Sequence, residues 1–219
     1  MITFNDIKNN KVINSYITNA DASLKAIGYT EHSFAHVGKV AEDSAYILES
    51  LGYSERDVEL VKIAAHLHDI GNLVSRVDHA QSGAIMSFRL LDHLKMDPEE
   101  IALIVSAIGN HDEGTGVAVN HLAAALILAD KSDVRRSRVR NTNLANFDIH
   151  DRVNYSVTSS KIIVDKNLKT YTLDLQIDTS ISPVMEYFEI FLDRMIMCRH
   201  AASKLGLSFK LVINNQSLF

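Results

Sequence analysis

Apolar side chains recur every three to four positions from the start of the chain to about Arg140, which is the spacing of one face of an α-helix. Caps and glycines divide this region into segments. The first predicted helix runs near Asp6 to Ile27 and stops at Gly28, and the second ends at Gly52. The third runs from Ser54 through His68 and Asp69 to Gly71, and the fourth follows His79. The fifth begins at Pro98, after the cap Asp97, and the sixth covers about Asn120 to Arg138. We expect these helices to form one compact bundle.

The pattern changes after Asn141. The segments "RVNYSVTSSKIIV" and "LKTYTLDLQID" are rich in β-branched residues and Tyr, and the turn residues "DKN" between them favour a β-hairpin. Pro183 then opens a predicted helix to about Leu205, and "SFKLVIN" is typical of a strand. The expected fold is mainly α, with a helical unit over residues 1–142 and a small C-terminal α+β (ββαβ) appendage over residues 143–219.

Composition narrows the class of protein. Hydrophobic residues make up 47% of the 219 residues and charged residues 22%, as in soluble globular domains. A net charge of −5 argues against general nucleic-acid binding. The apolar run Leu122–Ala129 is far shorter than the ~20 residues that span a bilayer. Cys198 is the only cysteine and the first residues lack the apolar stretch of a secretion signal, so we expect a cytoplasmic protein.

Polar residues of the kind that bind metals interrupt the apolar helix faces. In "IAAHLHDIGN" the neighbours His68 and Asp69 lie at the end of a predicted buried helix, where unpartnered polar groups would cost roughly 1–3 kcal/mol each. His66 lies about 200° around that helix from His68 and is expected to face away. Four other segments contribute His36, His79, His111 and Asp130. Imidazole and carboxylate are ligands for several divalent ions.

The order His36, His68-Asp69 and Asp130 resembles the HD superfamily of metal-dependent phosphohydrolases, with "HLHDIGN" similar to its central motif and "LADKSD" to its closing aspartate helix. The resemblance covers about Glu31 to Asp133 and implies an HD-type helical bundle core. "HAQSG" and "NHDEG" resemble the extra ligands of its two-metal branches, which include cyclic-dinucleotide phosphodiesterases with a GYP motif and symmetrical diadenosine-tetraphosphate hydrolases. The chain departs from the GYP branch, because "EGTGVAV" contains no Gly-Tyr-Pro and Asp112 follows His111.

The resemblance implies that one ion binds His36, His68, Asp69 and Asp130, and that Asp69 bridges to a second ion on His79 and His111. The metal, in one or two copies, can be Fe, Mn, Zn, Mg, Co or Ni, since sequence does not distinguish them. The expected activity is hydrolysis of a phosphoester or phosphoanhydride bond of a nucleotide or other small organic phosphate by metal-activated water.

Further residues are expected to support this chemistry. Asp69 and Lys131 are the candidate catalytic residues, and the candidates for phosphate or substrate binding are Lys131, Arg135, His32 and Asn72. Asp112 and Asp133 are candidates for orienting the imidazoles. A basic helix end is also favoured by the helix dipole alone, so a purely structural role of Lys131 and Arg135 stays open.

Two other functions remain open. The same histidine-rich site is compatible with a di-iron oxygenase. Alternatively, the chain is a nucleotide-binding sensor or interaction protein without turnover, in which the exposed β edges of the appendage support a homodimer. The expected partner is a small phosphorylated, nucleotide-like substrate, with no membrane and no general nucleic-acid binding.

Overall fold

The computed structural model describes residues 1–218. Its helices are α1 (Phe4–Lys8), α2 (Lys11–Ala26), α3 (Phe34–Leu51), α4 (Glu55–Leu67), α5 (His79–His93), α6 (Pro98–Gly109), α7 (His121–Ser132), α8 (Ile149–Ser156) and α9 (Val184–Lys204). The strands are β1 (Val157–Asp165), β2 (Thr170–Ile177), β3 (Ser208–Ile213) and β4 (Gln216–Ser217). Short 3-10 turns cover Ile70–Leu73, Arg136–Arg138 and Leu144–Asn146. Among residues 1–218, no helix combines the length and apolar character needed to cross a lipid bilayer.

Helix α7 is the centre of the bundle. Every residue from Leu122 to Ser132 is buried, as expected for a helix that is apolar on all sides. It contacts α3, α4, α6 and α9. Because Asp130 and Lys131 belong to this buried helix, their charged groups lie inside the molecule rather than on its surface.

Helix starts follow the predicted caps. The side chains of Ser54 and Asp97 accept hydrogen bonds from backbone N–H groups in the first turns of α4 and α6, and Pro98 occupies the first turn of α6. At the end of α3, Gly52 adopts a φ of 82°, which an L side chain would strain. The mainly α fold with a C-terminal α+β unit is confirmed.

Some predicted boundaries are wrong. The first helix divides into α1 and α2, because the Asn10 side chain accepts from the N–H groups of Val12 and Ile13 and starts a new helix. The third helix ends at Leu67, so Asp69 and Gly71 lie outside it.

The predicted sixth helix and first strand also differ from the structure. Helix α7 ends at Ser132, and the carbonyl of Asp133 accepts from the Arg138 side chain instead of from a helical N–H. The first strand begins at Val157 rather than near Arg152, because Asp148 caps the short helix α8.

The C-terminal sheet has the order β1-β2-β3-β4. Strands β1 and β2 form the predicted antiparallel hairpin, β3 pairs parallel to β2 after the α9 crossover, and the two-residue β4 pairs antiparallel to β3. Tyr171 of β2 hydrogen-bonds to Ser132 and to the carbonyl of Leu128 in α7. One buried apolar cluster thus runs through the bundle and the sheet. The boundary after residue 142 stays a prediction.

Candidate metal centre

Six candidate ligands from separate parts of the bundle meet at one buried point. They are His36 in α3, His68 directly after α4, Asp69 next to it, His79 at the first position of α5, His111 after α6, and Asp130 near the end of α7. The four histidines are at most 1% exposed, and Asp69 is 6% exposed. All six predicted metal ligands are therefore brought together.

In all four imidazoles, Nδ1 forms a hydrogen bond to an acceptor that is not one of the six candidate ligands. The Nδ1 atoms of His68, His79 and His111 donate to the carbonyls of Ala65, Arg76 and Ile108 at 2.7, 3.1 and 2.6 Å. His36 Nδ1 lies 2.8 Å from Asp133 Oδ2. A carbonyl only accepts, so Nδ1 carries the proton and the lone pair of a neutral ring is on Nε2. This is the orientation of imidazoles that bind a metal through Nε2.

The Asp69 carboxylate lies between two pairs of these histidines. Its Oδ2 is 3.6 Å from His36 Nε2 and 3.3 Å from His68 Nε2. Its Oδ1 is 3.5 Å from His79 Nε2 and 4.0 Å from His111 Nε2. Each carboxylate oxygen therefore faces a different half of the cluster.

Asp130 belongs to the half that contains His36 and His68. Its Oδ1 is 3.3 Å from His36 Nε2 and 3.7 Å from His68 Nε2, while its Oδ2 is 2.8 Å from Lys131 Nζ. The ligand atoms of His36, His68 and Asp130 lie within 4.8 Å of one another, as do those of His68, Asp69 and His111. Both triplets have the size of a metal-binding site.

Several polar atoms in this cluster have no partner among the described residues. His36 Nε2, His68 Nε2 and Asp69 Oδ2 are buried without a hydrogen bond. His79 Nε2 and His111 Nε2 face each other at 3.2 Å, although both Nδ1 atoms already carry the proton of a neutral ring. Two lone pairs repel at this distance, and buried unpaired polar atoms cost roughly 1–3 kcal/mol each. Divalent cations bound in the two halves of the cluster would satisfy these atoms, so the residues fit a metal.

The electrostatics of the cluster favour a cation. Burial alone would lower the pKa of His68, but the carboxylates of Asp69 and Asp130 outweigh it and raise that pKa to about 10. Burial would raise the pKa values of the two carboxyls, yet His68 beside Asp69 and Lys131 beside Asp130 hold them well below their usual range. The pKa of His111 is lowered, first by burial and then by His68. Without a metal, His68 would therefore carry a second proton on Nε2 beside the two ionised carboxylates, and a bound cation would take the place of that proton.

The ligands open into a cavity of about 470 Å³. Its lining includes Asp69, His79, His111 and Asp130, and also the predicted substrate-binding residues Lys131 and His32. Asp112 is part of the lining as well, with Oδ1 3.9 Å from His79 Nε2. Asn72 instead donates to Asp69 Oδ1 at 3.0 Å and so holds the carboxylate in place.

Arg135 is not among the residues that line the cavity. Its side chain binds Asp133 Oδ1 at 2.8 Å, Ser137 and Glu31, so it supports the residues behind His36. Arg138, from the same basic stretch, does line the cavity. Sequence alone could not choose between these arginines, because it predicted one helix through both, whereas α7 ends at Ser132, before either.

Three residues at the cavity gave little or no signal in the sequence. Glu113 bridges Lys131 and Arg194, at 3.4 Å to Lys131 Nζ and 2.8 Å to Arg194 Nε. Burial would raise the pKa of Glu113, but these two cations lower it to about 2. Arg76 Nη1 lies 3.4 Å from His79 Nε2. Arg194 belongs to α9, far along the chain from every motif, and only tertiary structure shows that it belongs here.

Comparison with known families agrees with this geometry. A protein-family model described as the HD domain matches residues 33–141, the segment that contains all six candidate ligands. The chain is an HD-domain protein. Its family is that of the metal-dependent phosphohydrolases, whose HD domains bind divalent metals.

A relative of this HD-domain protein is found in an archaeon. An uncharacterized protein of Methanocaldococcus jannaschii is 25% identical over 160 residues, which are 63% of this chain. The match covers 61% of the relative, so the chain spans about three fifths of that protein's length.

Proposed function

We propose that this HD-domain protein is a hydrolase that cleaves a phosphoester or phosphoanhydride bond in a nucleotide or another small organic phosphate. The observation that carries the proposal is the position of Asp69 between two histidine pairs whose Nε2 atoms all face inward. In this arrangement His36, His68, Asp69 and Asp130 would hold one divalent ion, and Asp69, His79 and His111 a second. When bound, such ions act as Lewis acids and lower the pKa of a coordinated water toward neutrality.

The chain's own groups prepare the cavity for a phosphate. Asp133 and three backbone carbonyls fix the tautomer of the four imidazoles, so that no ring has to reorient. Lys131 Nζ lies beside Asp130 and at the cavity wall, where its charge would bind a phosphate oxygen. Because Lys131 is only 5% exposed, water screens that charge weakly.

The test combines metal analysis with a substrate screen. We expect protein purified without chelator to contain up to two equivalents of divalent metal and to release phosphate or a phosphorylated product from at least one organic phosphate. Asp69→Ala should lose both properties, whereas Asp92→Ala, on the exposed face of α5, should retain them.

The screen should cover nucleotides, dinucleoside polyphosphates and cyclic dinucleotides. Full hydrolytic activity in Asp69→Ala would refute the proposal. Tight nucleotide binding without turnover across several metals would also refute it and would favour a sensor.

A further inference from the structure

Arg194 brings a cation from the C-terminal unit into the cavity. It lies on α9, outside residues 33–141 that match the HD domain, yet it lines the same cavity as Asp130 and Lys131. Helix α9 packs against α7, and this contact places the Arg194 side chain near the candidate metal ligands.

The contacts of Arg194 hold it in place and leave most of its donors unused. Its Nε donates to Glu113 Oε1 at 2.8 Å, and its guanidinium carbon lies 4.0 Å from the centre of the Phe191 ring. Its two terminal nitrogens make no hydrogen bond within residues 1–218. A guanidinium that is stacked on a ring and still has free donors is well suited to bind phosphate oxygens.

Lys131 and Arg194 form a row of two cations at the cavity wall, and Lys131 is the member that contacts a candidate metal ligand. Lys131 Nζ contacts the candidate ligand Asp130 at 2.8 Å, and it shares Glu113 Oε1 with Arg194 Nε. Because both nitrogens contact one oxygen atom, they are separated by no more than the sum of their 3.4 and 2.8 Å contacts. Glu113 is the carboxylate that the two cations share, while Asp130 contacts only Lys131 of the two, so Arg194 has no carboxylate partner of its own in the described part of the chain.

The order of the row bears on the substrate. A phosphate group held at the candidate metal site would lie next to Lys131, and a second phosphate of the same chain would come within reach of Arg194, which shares Glu113 with Lys131. A monophosphate ester has no second phosphate group for this arginine to bind. A diphosphate or longer chain does.

We propose that Arg194 binds the second phosphate group of the substrate and so makes the site selective for phosphoanhydrides over phosphate monoesters. This inference rests on the proposed function, because it assumes that the first phosphate lies at the metal site. It also gives the C-terminal unit a part in substrate binding.

Calorimetric titration of the full chain tests the inference, with inorganic phosphate and inorganic pyrophosphate as probes. The protein is loaded with the divalent ion that metal analysis identifies, and that ion is kept at the same free concentration in every titration. We expect wild type to bind pyrophosphate more tightly than phosphate. Arg194→Gln should weaken pyrophosphate binding by about 10- to 100-fold, since a hydrogen bond to a charged group is lost. Its affinity for phosphate should stay the same.

Arg199→Gln is the matched control, because Arg199 lies on the exposed side of the same helix. It should bind both anions like wild type. If Arg194→Gln does not fold, Arg194→Lys is titrated in its place. This variant keeps the positive charge beside Glu113 but loses the planar guanidinium and its paired donors. We expect a smaller loss of pyrophosphate affinity in that variant.

The possible outcomes separate the two proposals. Wild-type pyrophosphate affinity in a folded Arg194 variant, or an equal loss for both anions, would overturn the role of Arg194. If wild-type protein binds neither anion, the proposed function fails as well.

Discussion

The orientation of a single imidazole, His36, depends on a carboxylate that does not face the cavity. Asp133 is completely buried, accepts from His36 Nδ1 and forms ion pairs with Arg135 and Arg138. Burial would raise its pKa, but the hydrogen bond from His36 and the nearby charge of Arg138 hold that pKa well below the usual range. Asp133 is thus an anionic anchor that fixes the ring and increases the basicity of Nε2.

Replacing this anchor should weaken metal binding without removing a ligand. In Asp133→Asn the side chain keeps its shape but loses the negative charge, so we expect the affinity for metal to fall by about 10- to 100-fold. Competition with a chromogenic chelator measures this affinity. Asp92→Asn, which removes an exposed carboxylate of α5, is the control and should bind metal like wild type. Unchanged affinity in folded Asp133→Asn would contradict the anchoring role.

At the scale of elements, the turn Ile70–Leu73 sets the distance between α4 and α5. It contacts α5, which carries His79, and it directly follows Asp69. Gly71 makes this close approach possible, because a Cβ atom there would collide with the backbone carbonyl oxygen of His79 and lie 2.5 Å from the backbone nitrogen of Gly83. The sequence suggested that Gly71 ends a helix, but the structure shows that it is needed for packing.

Gly71→Ala should therefore disturb both stability and the metal site. Backbone cannot move aside as a flexible side chain can, so we expect a loss of about 1–3 kcal/mol or more in the free energy of unfolding, together with weaker metal binding. Gly38→Ala is the matched control. Nothing lies within 4 Å of its added Cβ, and a helical Gly→Ala change should stabilise by roughly 0.5–1 kcal/mol. Urea unfolding measures both variants, and equal stabilities would rule out the steric argument.

At the scale of the whole molecule, the sheet is part of the same core as the bundle. The hydroxyl of Tyr171 hydrogen-bonds to α7, Ser160 of β1 donates to the carbonyl of Ser132, and α9 packs against α7. Separating the C-terminal unit from the bundle would expose these buried groups. The two parts should therefore unfold together.

A single cooperative transition is the expected result in scanning calorimetry. The calorimetric enthalpy should equal the van't Hoff enthalpy, as it does when no intermediate is populated. Tyr171→Phe should lower the unfolding temperature of the whole transition, since it leaves buried polar atoms of α7 unpaired. Tyr16→Phe, at a side chain that is 36% exposed, should leave that temperature unchanged. Two separate transitions would show instead that the bundle and the C-terminal unit fold independently.

Much of the fold follows from local sequence. Helix positions follow from apolar periodicity and from caps such as Ser54 and Asp97, and the β-hairpin from its β-branched residues and turn. Errors occur at boundaries, where tertiary contacts outweigh periodicity. Helix α7 ends at Ser132 because the Arg138 side chain donates to the carbonyl of Asp133. The spacing of apolar residues does not reveal that contact. His66 lies away from the cluster beside Phe4 and Phe34, as the helical angle predicted.

The sequence by itself determined the types and order of the candidate ligands, since an apolar helix face that is interrupted by His and Asp needs a compensating partner. The resemblance of the motifs to the HD superfamily also implied that Asp69 lies between two pairs of histidines. Tertiary structure alone decided which arginines reach the cavity and that α9 belongs to its wall. The physical reason is distance along the chain. Periodicity and capping act over a few residues, whereas the contact between Glu113 and Arg194 joins positions 81 residues apart and exists only once α9 has packed on α7.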